Sequence, residues 1–417
     1  MHSTREETTA AAEWRAHWPL TLAALIGYST IGLQSYGISP FVTHLESEFG
    51  WSRADVMIGI SLSNAAGIVL NMIIGLIIDR FGSRRVALLG LVVKTGTFAL
   101  LGAATGTLLN WAALWLMLAV GVVLVQSTVW TRAVASRFDK ARGLALAVAL
   151  SGTPITAMLA PPLASWLIGA YGWRMGFAGV GAIWLAVTLP IVFLFFREKP
   201  ASPAATTAAA AETASPAEMA GLTFAQGIRT RAFARLLLSF ACFSFYSMTI
   251  ATNLVPLLTE TGIAATEAAS IAAIMGLVGI VARLSVGVLL DRFPGHLIGT
   301  GTLLMPIVGC AILLMDAPGI LLLSVAVAMF GAAIGAEIDV ALYLATRHFG
   351  LKAFGALFSA IIVGGAVAAT LGPFIGGWLH DLYGSYDILL MMIMAVMGIG
   401  ALAMLTMGRP PRRWAAE

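Results

Sequence analysis

Four charged residues lie within stretches of the chain that are otherwise apolar: Lys94, Arg283, Glu337 and Asp339. Apolar stretches of about 20 residues are long enough to cross a bilayer as helices. A charge at the bilayer centre costs roughly 2.5 to 3.5 kcal/mol even on the most lenient scale, so such residues usually have a function or a partner. These four residues are therefore the first candidates for a functional site.

Arg283 lies deep in its predicted helix. It precedes Asp291 by eight residues, which places it about 12 Å from that end of the helix at a rise of 1.5 Å per residue. A guanidinium can hold a carboxylate through two parallel charge-assisted hydrogen bonds. Arg283 is thus predicted to bind a carboxylate. The alternative is a structural ion pair with an acid of segment 319–346, and both can hold in different states.

Glu337 and Asp339 lie two residues apart on one predicted helix, so they point about 200° apart and cannot share a face. Asp339 aligns with Gly331, Gly335 and Tyr343 in a stripe of small and polar residues, which is expected to face a cavity. Glu337 shares its face with apolar residues and is expected within helix packing. Both acids are candidates to carry a proton. A carboxyl group beside the arginine can take up a proton when an anion leaves, or can pair with the arginine in the empty state.

Polar side chains on other predicted helices are candidates to line the same cavity. The alternative for each of them is a hydrogen bond that joins two helices within the membrane. The candidates are Tyr28, Gln34, Asn71, Gln126, Tyr246, Asn253 and Tyr343.

The composition indicates which kind of element positions these residues. The chain has 417 residues, of which 59% are hydrophobic and 11% are charged, and its mean hydropathy is +0.92. A water-soluble protein of this size would lack the polar residues to cover its surface. The apolar stretches predict an all-α membrane protein with twelve transmembrane helices.

The distribution of positive charge predicts the orientation. Most of the 24 Lys and Arg residues fall in segments on one side, whereas Arg53 and Arg174 fall on the other. By the positive-inside rule, both termini are then cytoplasmic. The excess of Lys and Arg over Asp and Glu is explained by this topology and by attraction to anionic lipid, so no nucleic-acid partner is expected. Arginine greatly outnumbers lysine, which favours a GC-rich bacterial genome, and the protein is then expected in the bacterial inner membrane.

The second half of the chain repeats the first at an offset of 212 positions. Segment 75–81, G-L-I-I-D-R-F, returns as G-V-L-L-D-R-F at 287–293. Asn71 occupies the repeat position of Arg283, so both are expected at one cavity. A duplication predicts two pseudo-symmetric bundles of six helices. The expected divisions are a cytoplasmic tail at 1–17, the first bundle at 18–196, a flexible linker at 197–235, the second bundle at 236–407 and a cytoplasmic tail at 408–417.

Segment 75–85, G-L-I-I-D-R-F-G-S-R-R, resembles the signature turn of the major facilitator superfamily, and the duplication extends this resemblance over the chain. The resemblance implies two six-helix bundles that rock about a central cavity, the motion called alternating access. It also implies that Asp79 and Arg80 latch the halves together at the cytoplasmic side, with Gly75 allowing close helix approach. The second copy contributes Asp291 and Arg292.

Segment 279–287, G-I-V-A-R-L-S-V-G, resembles the arginine segment of monocarboxylate transporters and of their oxalate/formate antiporter relatives. The resemblance implies that Arg283 grips the carboxylate of a transported anion. Gln34 stands near the position where several relatives have lysine, and a single deep cation on the cavity side favours a monocarboxylate. Because the family places the third helix outside the cavity, Lys94 is expected to be structural or to extend towards the membrane surface.

Together these features predict a secondary transporter that moves a small organic anion, a monocarboxylate, together with H+. The alternatives are an organic anion exchanger and a proton-coupled exporter of amphiphilic compounds, whose helix 5 motif is similar to G-P-F-I-G-G at 372–377. The sequence contains none of the common catalytic motifs, and its six His residues are scattered, so we expect neither an enzyme nor a cofactor nor a bound metal. The protein is expected to act as a monomer.

Overall fold

The structure is a computed structural model that describes residues 9–138, 141–197, 221–350 and 352–408. The helices of the first half are α1 (Ala10–Ser29), α2 (Leu33–Tyr36), α3 (Val42–Phe49), α4 (Arg53–Phe81), α5 (Ser83–Leu100), α6 (Leu108–Leu124), α7 (Ser127–Ala135), α8 (Arg142–Leu150) and α9 (Gly152–Phe195). Those of the second half are α10 (Phe224–Gly227), α11 (Arg231–Thr259), α12 (Ala265–Arg292), α13 (Gly295–Leu313), α14 (Ile320–Phe349), α15 (Phe354–Tyr383) and α16 (Asp387–Leu405).

Ten helical segments of the described chain are long and apolar enough to cross a membrane. One of them, Arg142–Phe195, has 54 residues and turns at Gly172, where a φ of 80° interrupts the helix, so it supplies two spans. The broken first helix, which begins as α1, completes twelve. Many large exposed side chains are apolar, as at Met72, Leu109 and Leu321, and such a surface suits contact with lipid. The predicted all-α membrane protein with twelve helices is confirmed.

The first membrane helix is not continuous, although the sequence predicted one helix there. α1 ends at Ser29, and Leu33 donates its backbone N–H to the carbonyl of Thr30 in a tighter turn. The carbonyl of Ser29, which the N–H of Leu33 would meet in a regular α-helix, accepts a hydrogen bond from the hydroxyl of Thr156 on α9. A Cβ on Gly32 would lie 2.7 Å from the Cβ of Thr156, so glycine allows this close approach. A side chain inserted into the helical hydrogen bonds is a known cause of such breaks.

The two halves begin their helices at equivalent positions. Helices α4, α5, α6 and α8 begin at residues 53, 83, 108 and 142, and helices α12, α13, α14 and α15 begin 212 positions later, at 265, 295, 320 and 354. Gly172 and Gly384 also correspond, and both have a positive φ, of 80° and 71°. The backbone is therefore duplicated in the register that the sequence predicted.

The predicted linker at 197–235 lies mostly outside the described residues. α11 begins at Arg231, five residues earlier than the sequence predicted, because the side chain of Thr230 caps its first turn. The backbone N–H of Leu222 donates to the carbonyl of Phe349 at 2.8 Å, which joins the start of the second half to the end of α14. α1 begins within the predicted tail at 1–17.

The halves pack against each other chiefly through two pairs of helices, α9 with α12 and α4 with α15. Glycine allows both approaches. A Cβ on Gly276 of α12 would lie 2.2 Å from the carbonyl oxygen of Pro154 on α9, and one on Gly377 of α15 would lie 2.8 Å from the backbone nitrogen of Ala54 on α4. We call the two ends of the molecule the Arg53 end and the Asp79 end, after residues near the start and the end of α4.

Candidate functional site

A cavity of about 670 Å³ lies between the halves and receives side chains from both. Its volume is within the range of sites that hold small molecules. Because apolar side chains form much of its wall, the polar side chains determine what it can bind. The polar and charged residues that line it are Tyr28, Gln34, Ser35, Tyr36, Ser63, Asn64, Asn71, Gln126, Ser127, Thr153, Ser247, Arg283 and Asp339.

Arg283 is the one cation that lines this cavity among the described residues, and its side chain is only 12% exposed. Its Nε lies 3.0 Å from Oδ2 of Asp339, on the neighbouring α14. Its Nη1 donates a hydrogen bond of 2.8 Å to the carbonyl oxygen of Leu150 in the other half. That carbonyl is free of helical hydrogen bonding because α8 ends at Leu150. Arg283 therefore connects the two halves and keeps further N–H donors that these two contacts do not use.

The two acids of α14 have different surroundings. Asp339 lines the cavity and pairs with Arg283. Glu337 is fully buried between helices, where its Oε2 accepts a hydrogen bond of 2.9 Å from the hydroxyl of Thr302 on α13. Its Oε1 has no hydrogen-bond partner among the described residues. The acids lie on different faces, and Asp339 is the one that can respond directly to an anion at Arg283.

The predicted stripe on α14 reaches the cavity only in its middle. Gly335 and Asp339 line the cavity, whereas Gly331 and Tyr343 do not. Gly331 lies against the backbone of α12, and the ring of Tyr343 lies 5.3 Å from the guanidinium of Arg347. Successive members are four residues apart, so each is rotated by about 40° from the one before, and the stripe winds away from the cavity. Tyr343 therefore does not line the cavity in this structure, and its part in binding stays a prediction.

Tyr246 and Asn253, on α11, were also predicted to line the cavity, but neither lines it in this structure, and their part in binding stays a prediction. Both are fully buried within the second half. The hydroxyl of Tyr246 donates to the carbonyl of Phe330 at 3.1 Å, and Nδ2 of Asn253 donates to the carbonyl of Thr249 at 2.9 Å. Their hydrogen bonds are satisfied within helix packing, which was the alternative for these residues. The predicted residues that do line the cavity are Tyr28, Gln34, Asn71, Gln126, Arg283 and Asp339.

A chain of three polar side chains crosses the interior of the first half. Lys94, on α5, is fully buried, and its Nζ donates a hydrogen bond of 3.1 Å to Oε1 of Gln34. Nε2 of Gln34 donates in turn to Oδ1 of Asn64, on α4, at 3.3 Å. Asn64 was not among the predicted residues. It lies seven positions before Asn71 and so on the same helix face, and this spacing was the signal that could have revealed it.

Of the two expectations for Lys94, a structural position or an extension towards the membrane surface, the structure agrees with the first. A Cβ on Gly121 of α6 would lie only 2.6 Å from the Cα of Lys94, so α6 packs directly against the backbone of α5 at this point. The lysine side chain is directed into the bundle, towards Gln34.

Charged side chains join the halves at the Arg53 end. Arg53, in the first half, lies 2.6 Å from a carboxylate oxygen of Glu46 and 2.8 Å from one of Glu260, in the second half. The carboxylate of Asp381 accepts hydrogen bonds of 2.8 Å from the backbone N–H groups of Arg53 and of the next residue. Nε2 of His380 lies 2.7 Å from Glu260. These contacts hold the second half against the start of α4.

Glu260 lies just beyond the end of α11, within reach of both Arg53 and His380. Burial by itself would raise the pKa of its carboxyl group, but hydrogen bonds from His380 and Arg53, together with their charges, outweigh burial and lower the pKa below its usual value. The cluster was not predicted. The sequence shows acids and an arginine near helix ends on one predicted side, but this does not identify which of them meet.

The predicted latch residues lie at the Asp79 end, where the structure does not place them between the halves. Asp79 forms an ion pair with Arg132, on α7 of the same half. The guanidinium of Arg80 lies over the ring of the neighbouring Phe81, at 5.5 Å. Among the described residues, the hydrogen bonds between the halves lie between the Arg53 end and the level of Arg283.

The other residues predicted to act at this end are exposed. Asp291 and Arg292 end α12 at the surface. A Cβ on Gly75 would meet nothing within 4 Å, so the close helix approach expected there is not made in this conformation. The roles of these residues, and of Asp79 and Arg80, as a latch stay predictions.

Known structures share this arrangement of helices. The crystal structure of a D-xylose-proton symporter matches with a TM-score of 0.70 and 17% sequence identity, over 95% of this chain and 98% of that chain. A bacterial homolog of the human lysosomal transporter Spinster, in an inward-facing and occupied conformation, matches with a TM-score of 0.70 and 17% identity, over 93% and 92%. A structure of such a homolog in an inward-facing and unoccupied conformation gives 0.62 and 17%, over 93% of each chain. At these identities the likeness shows a shared fold.

The fold and the cavity define a membrane transporter built from two six-helix bundles. The sequence model of the Major Facilitator Superfamily matches residues 24–336 and 236–417. The chain therefore belongs to the major facilitator superfamily, as segment 75–85 predicted.

Proposed function

We propose that this protein is a secondary transporter that moves a small organic anion, a monocarboxylate, across the membrane together with H+. The observation that carries the proposal is Arg283, a deeply placed cation that lines the cavity and pairs with Asp339. A carboxylate is the group that its free guanidinium donors fit best. One protein with this fold is a D-xylose-proton symporter, which supports coupling to H+.

The ion pair offers a physical route to coupling. An anion that binds the free donors of Arg283 shares the single positive charge with Asp339, and two carboxylates beside one guanidinium in a low-dielectric cavity are unfavourable while both are ionised. Proton uptake by Asp339 removes that cost, so the anion and the proton bind together. When the anion leaves, the ion pair re-forms and the proton is released. Glu337 is the alternative proton carrier, and its separation from the cavity makes it the weaker candidate.

The position of Arg283 also connects binding with movement of the halves. Its Nη1 donates to Leu150 across the interface, so an anion at the guanidinium alters a group that holds α12 to the end of α8. A ligand shifts a conformational equilibrium only if it interacts differently with the two states. A bound anion meets that condition here because Arg283 lies where the halves meet.

We place the protein in a bacterial inner membrane with both termini in the cytoplasm, following the distribution of Lys and Arg. In this orientation the Arg53 end is periplasmic, and the contacts of Arg53 with Glu260 and Asp381 close the periplasmic side. The cavity would then exchange its solute with the cytoplasm in this conformation.

Uptake into proteoliposomes tests the proposal. Labelled lactate, pyruvate, acetate and benzoate are offered under an imposed inward proton gradient to wild type, Arg283→Gln and Ser285→Ala. Ser285 is a matched control because it is exposed on the same helix and its hydroxyl bonds only to the carbonyl of Val281. Wild type and Ser285→Ala are expected to accumulate at least one acid, and Arg283→Gln is expected to lose this uptake while still folding, as a cooperative thermal unfolding transition of the purified variant would show.

Two outcomes would count against the proposal. Uptake of an acid by Arg283→Gln at the wild-type rate would show that this arginine does not bind the anion. Uptake of none of the acids, together with thermal stabilisation of the purified protein by lipophilic cations, would favour an exporter of amphiphilic compounds.

A further inference from the structure

Polar and apolar residues are unevenly divided between the two halves of the cavity wall. Among the described residues, the polar and charged side chains that the second half contributes are Ser247, Arg283 and Asp339, and the others all belong to the first half. The rest of the second-half wall is apolar. A solute that Arg283 holds by its charge therefore lies beside an apolar surface.

Four large side chains of this surface come from two helices. They are Ile338 and Leu342 on α14, one turn apart, and Phe358 and Ile362 on α15, also one turn apart, and we call these four the apolar wall. Ile338 is 39% exposed and Leu342 is 42% exposed, so a solute in the cavity can reach both. Exposed apolar side chains that line a cavity are typical of a ligand site, because the body of a ligand covers them and removes them from water.

The apolar wall lies at the depth of the charged pair. Arg283 is nine residues before the end of α12, Ile338 is eleven before the end of α14, and Ile362 is eight after the start of α15. At 1.5 Å per residue, all three lie about 12 to 17 Å from the Asp79 end. Asp339, whose carboxylate lies 3.0 Å from Nε of Arg283, directly follows Ile338 in the chain. The group that would hold a carboxylate and the surface that would hold an apolar body are therefore neighbours.

We infer that the transported anion is amphiphilic, a carboxylate whose body is a hydrocarbon chain or ring that packs against the apolar wall. The inference rests on the proposed function, because Arg283 would hold the carboxylate itself. Burial of the body is favourable in proportion to the apolar area that leaves water. An acid of two or three carbons gains little from the wall, because its body ends beside the guanidinium. The cavity, of about 670 Å³, has room for a longer body.

The test compares acids that differ only in the length of their body. The affinity of the purified full-length protein in lipid nanodiscs is measured for acetate, butyrate, hexanoate and octanoate, and binding to empty nanodiscs is subtracted. Wild type is expected to gain about fourfold in affinity for each methylene that the wall covers. Ile338→Ala and Leu342→Ala are each expected to flatten this rise. Leu321→Ala removes an exposed side chain of the same helix that does not line the cavity, so it is the matched control and is expected to keep the rise.

A neutral ligand separates the body from the charge. Octanamide keeps the body of octanoate but has no charge for Arg283, so wild type is expected to bind it much more weakly. A flat series of acids in wild type, with octanoate still preferred over octanamide, would overturn the inference and leave the proposed function intact. An equal rise in wild type and in both wall variants would do the same, because the body would then bind elsewhere. Equal affinity for octanamide and octanoate, or binding of none of the acids, would overturn the proposed function and this inference with it.

Discussion

The carboxylate of Asp381, at the end of α15, caps the start of α4 by accepting a hydrogen bond of 2.8 Å from the backbone N–H of Arg53. The N–H groups at the start of a helix have no partner within the helix, and an acid placed there also interacts favourably with the helix dipole. Here the capping acid belongs to the other half of the molecule. The cap is therefore lost whenever the two halves separate at the Arg53 end.

Removing this cap should open the Arg53 end. Loss of a capping side chain costs about 1 kcal/mol, so Asp381→Ala is expected to lower the ratio of closed to open molecules roughly fivefold. The ratio can be followed by the distance between spin labels on Ser47 and Thr266, which are exposed at this end in different halves. Asp387→Ala removes an exposed acid from the start of α16 and is the matched control. An unchanged label distance in Asp381→Ala would show that the cap does not stabilise closure.

Glu260 makes the closed end sensitive to acid. In the closed conformation, His380 and Arg53 lower the pKa of its carboxyl group. The ionised carboxylate therefore stabilises closure at pH values above its usual pKa, about 4.3. This stabilisation is lost as the pH falls through the lowered pKa. The label distance between Ser47 and Thr266 is expected to lengthen in that acidic range in wild type and to change less in Glu260→Gln. Identical pH responses of the two proteins would contradict this assignment.

Asp339→Asn should uncouple the anion from the proton. An asparagine amide cannot take up a proton and cannot form the ion pair with Arg283, so accumulation driven by a proton gradient is expected to fall to the level of liposomes without protein. Exchange of labelled for unlabelled anion should persist, because the guanidinium is still present. Glu337→Gln, two residues away, is the matched comparison and is expected to accumulate the anion. The reverse pattern would assign the proton to Glu337.

Gly276→Ala should destabilise the conformation described here. The added Cβ would lie 2.2 Å from the carbonyl oxygen of Pro154, and because that atom belongs to the backbone, α9 and α12 must move apart. Overpacking of this kind costs about 1 to 3 kcal/mol, so the population of this conformation is expected to fall at least about fivefold. Gly287→Ala, on the same helix, is the control, because its Cβ would meet nothing within 4 Å. The distance between the spin labels on Ser47 and Thr266 is expected to change in Gly276→Ala and to stay as in wild type in Gly287→Ala.

The sequence predicted the scaffold and the central charge well, because both leave local signals. The apolar stretches predicted the membrane helices, and the repeat predicted the offset of 212 positions at which α12 to α15 follow α4, α5, α6 and α8. The depth of Arg283 followed from counting residues along its helix. An ion pair with an acid of segment 319–346 was the alternative to carboxylate binding, and the structure pairs Arg283 with Asp339. These predictions required only the rise per residue and the cost of a charge in lipid.

The rotation of a helix about its axis was harder to predict, because packing determines it. Tyr246 and Asn253 are polar residues in an apolar helix, yet they find partners inside the second half and do not reach the cavity. Lys94 points into the first half because Gly121 brings α6 against the backbone beside it. Contacts between helices that are distant in sequence determine which way each side chain points. The pattern of residues along the chain does not reveal those contacts.

Asn71 and Arg283 occupy the same position of the two repeats, and both line the cavity. Their helices, α4 and α12, begin in register, so the duplicated backbone accepts an amide at one position and a guanidinium at the other. A substitution at one of these two positions could therefore change which solute the cavity binds without changing the register of α4 and α12. In a duplicated bundle, the residue at this cavity position can differ between the two copies while the positions of the helices are kept.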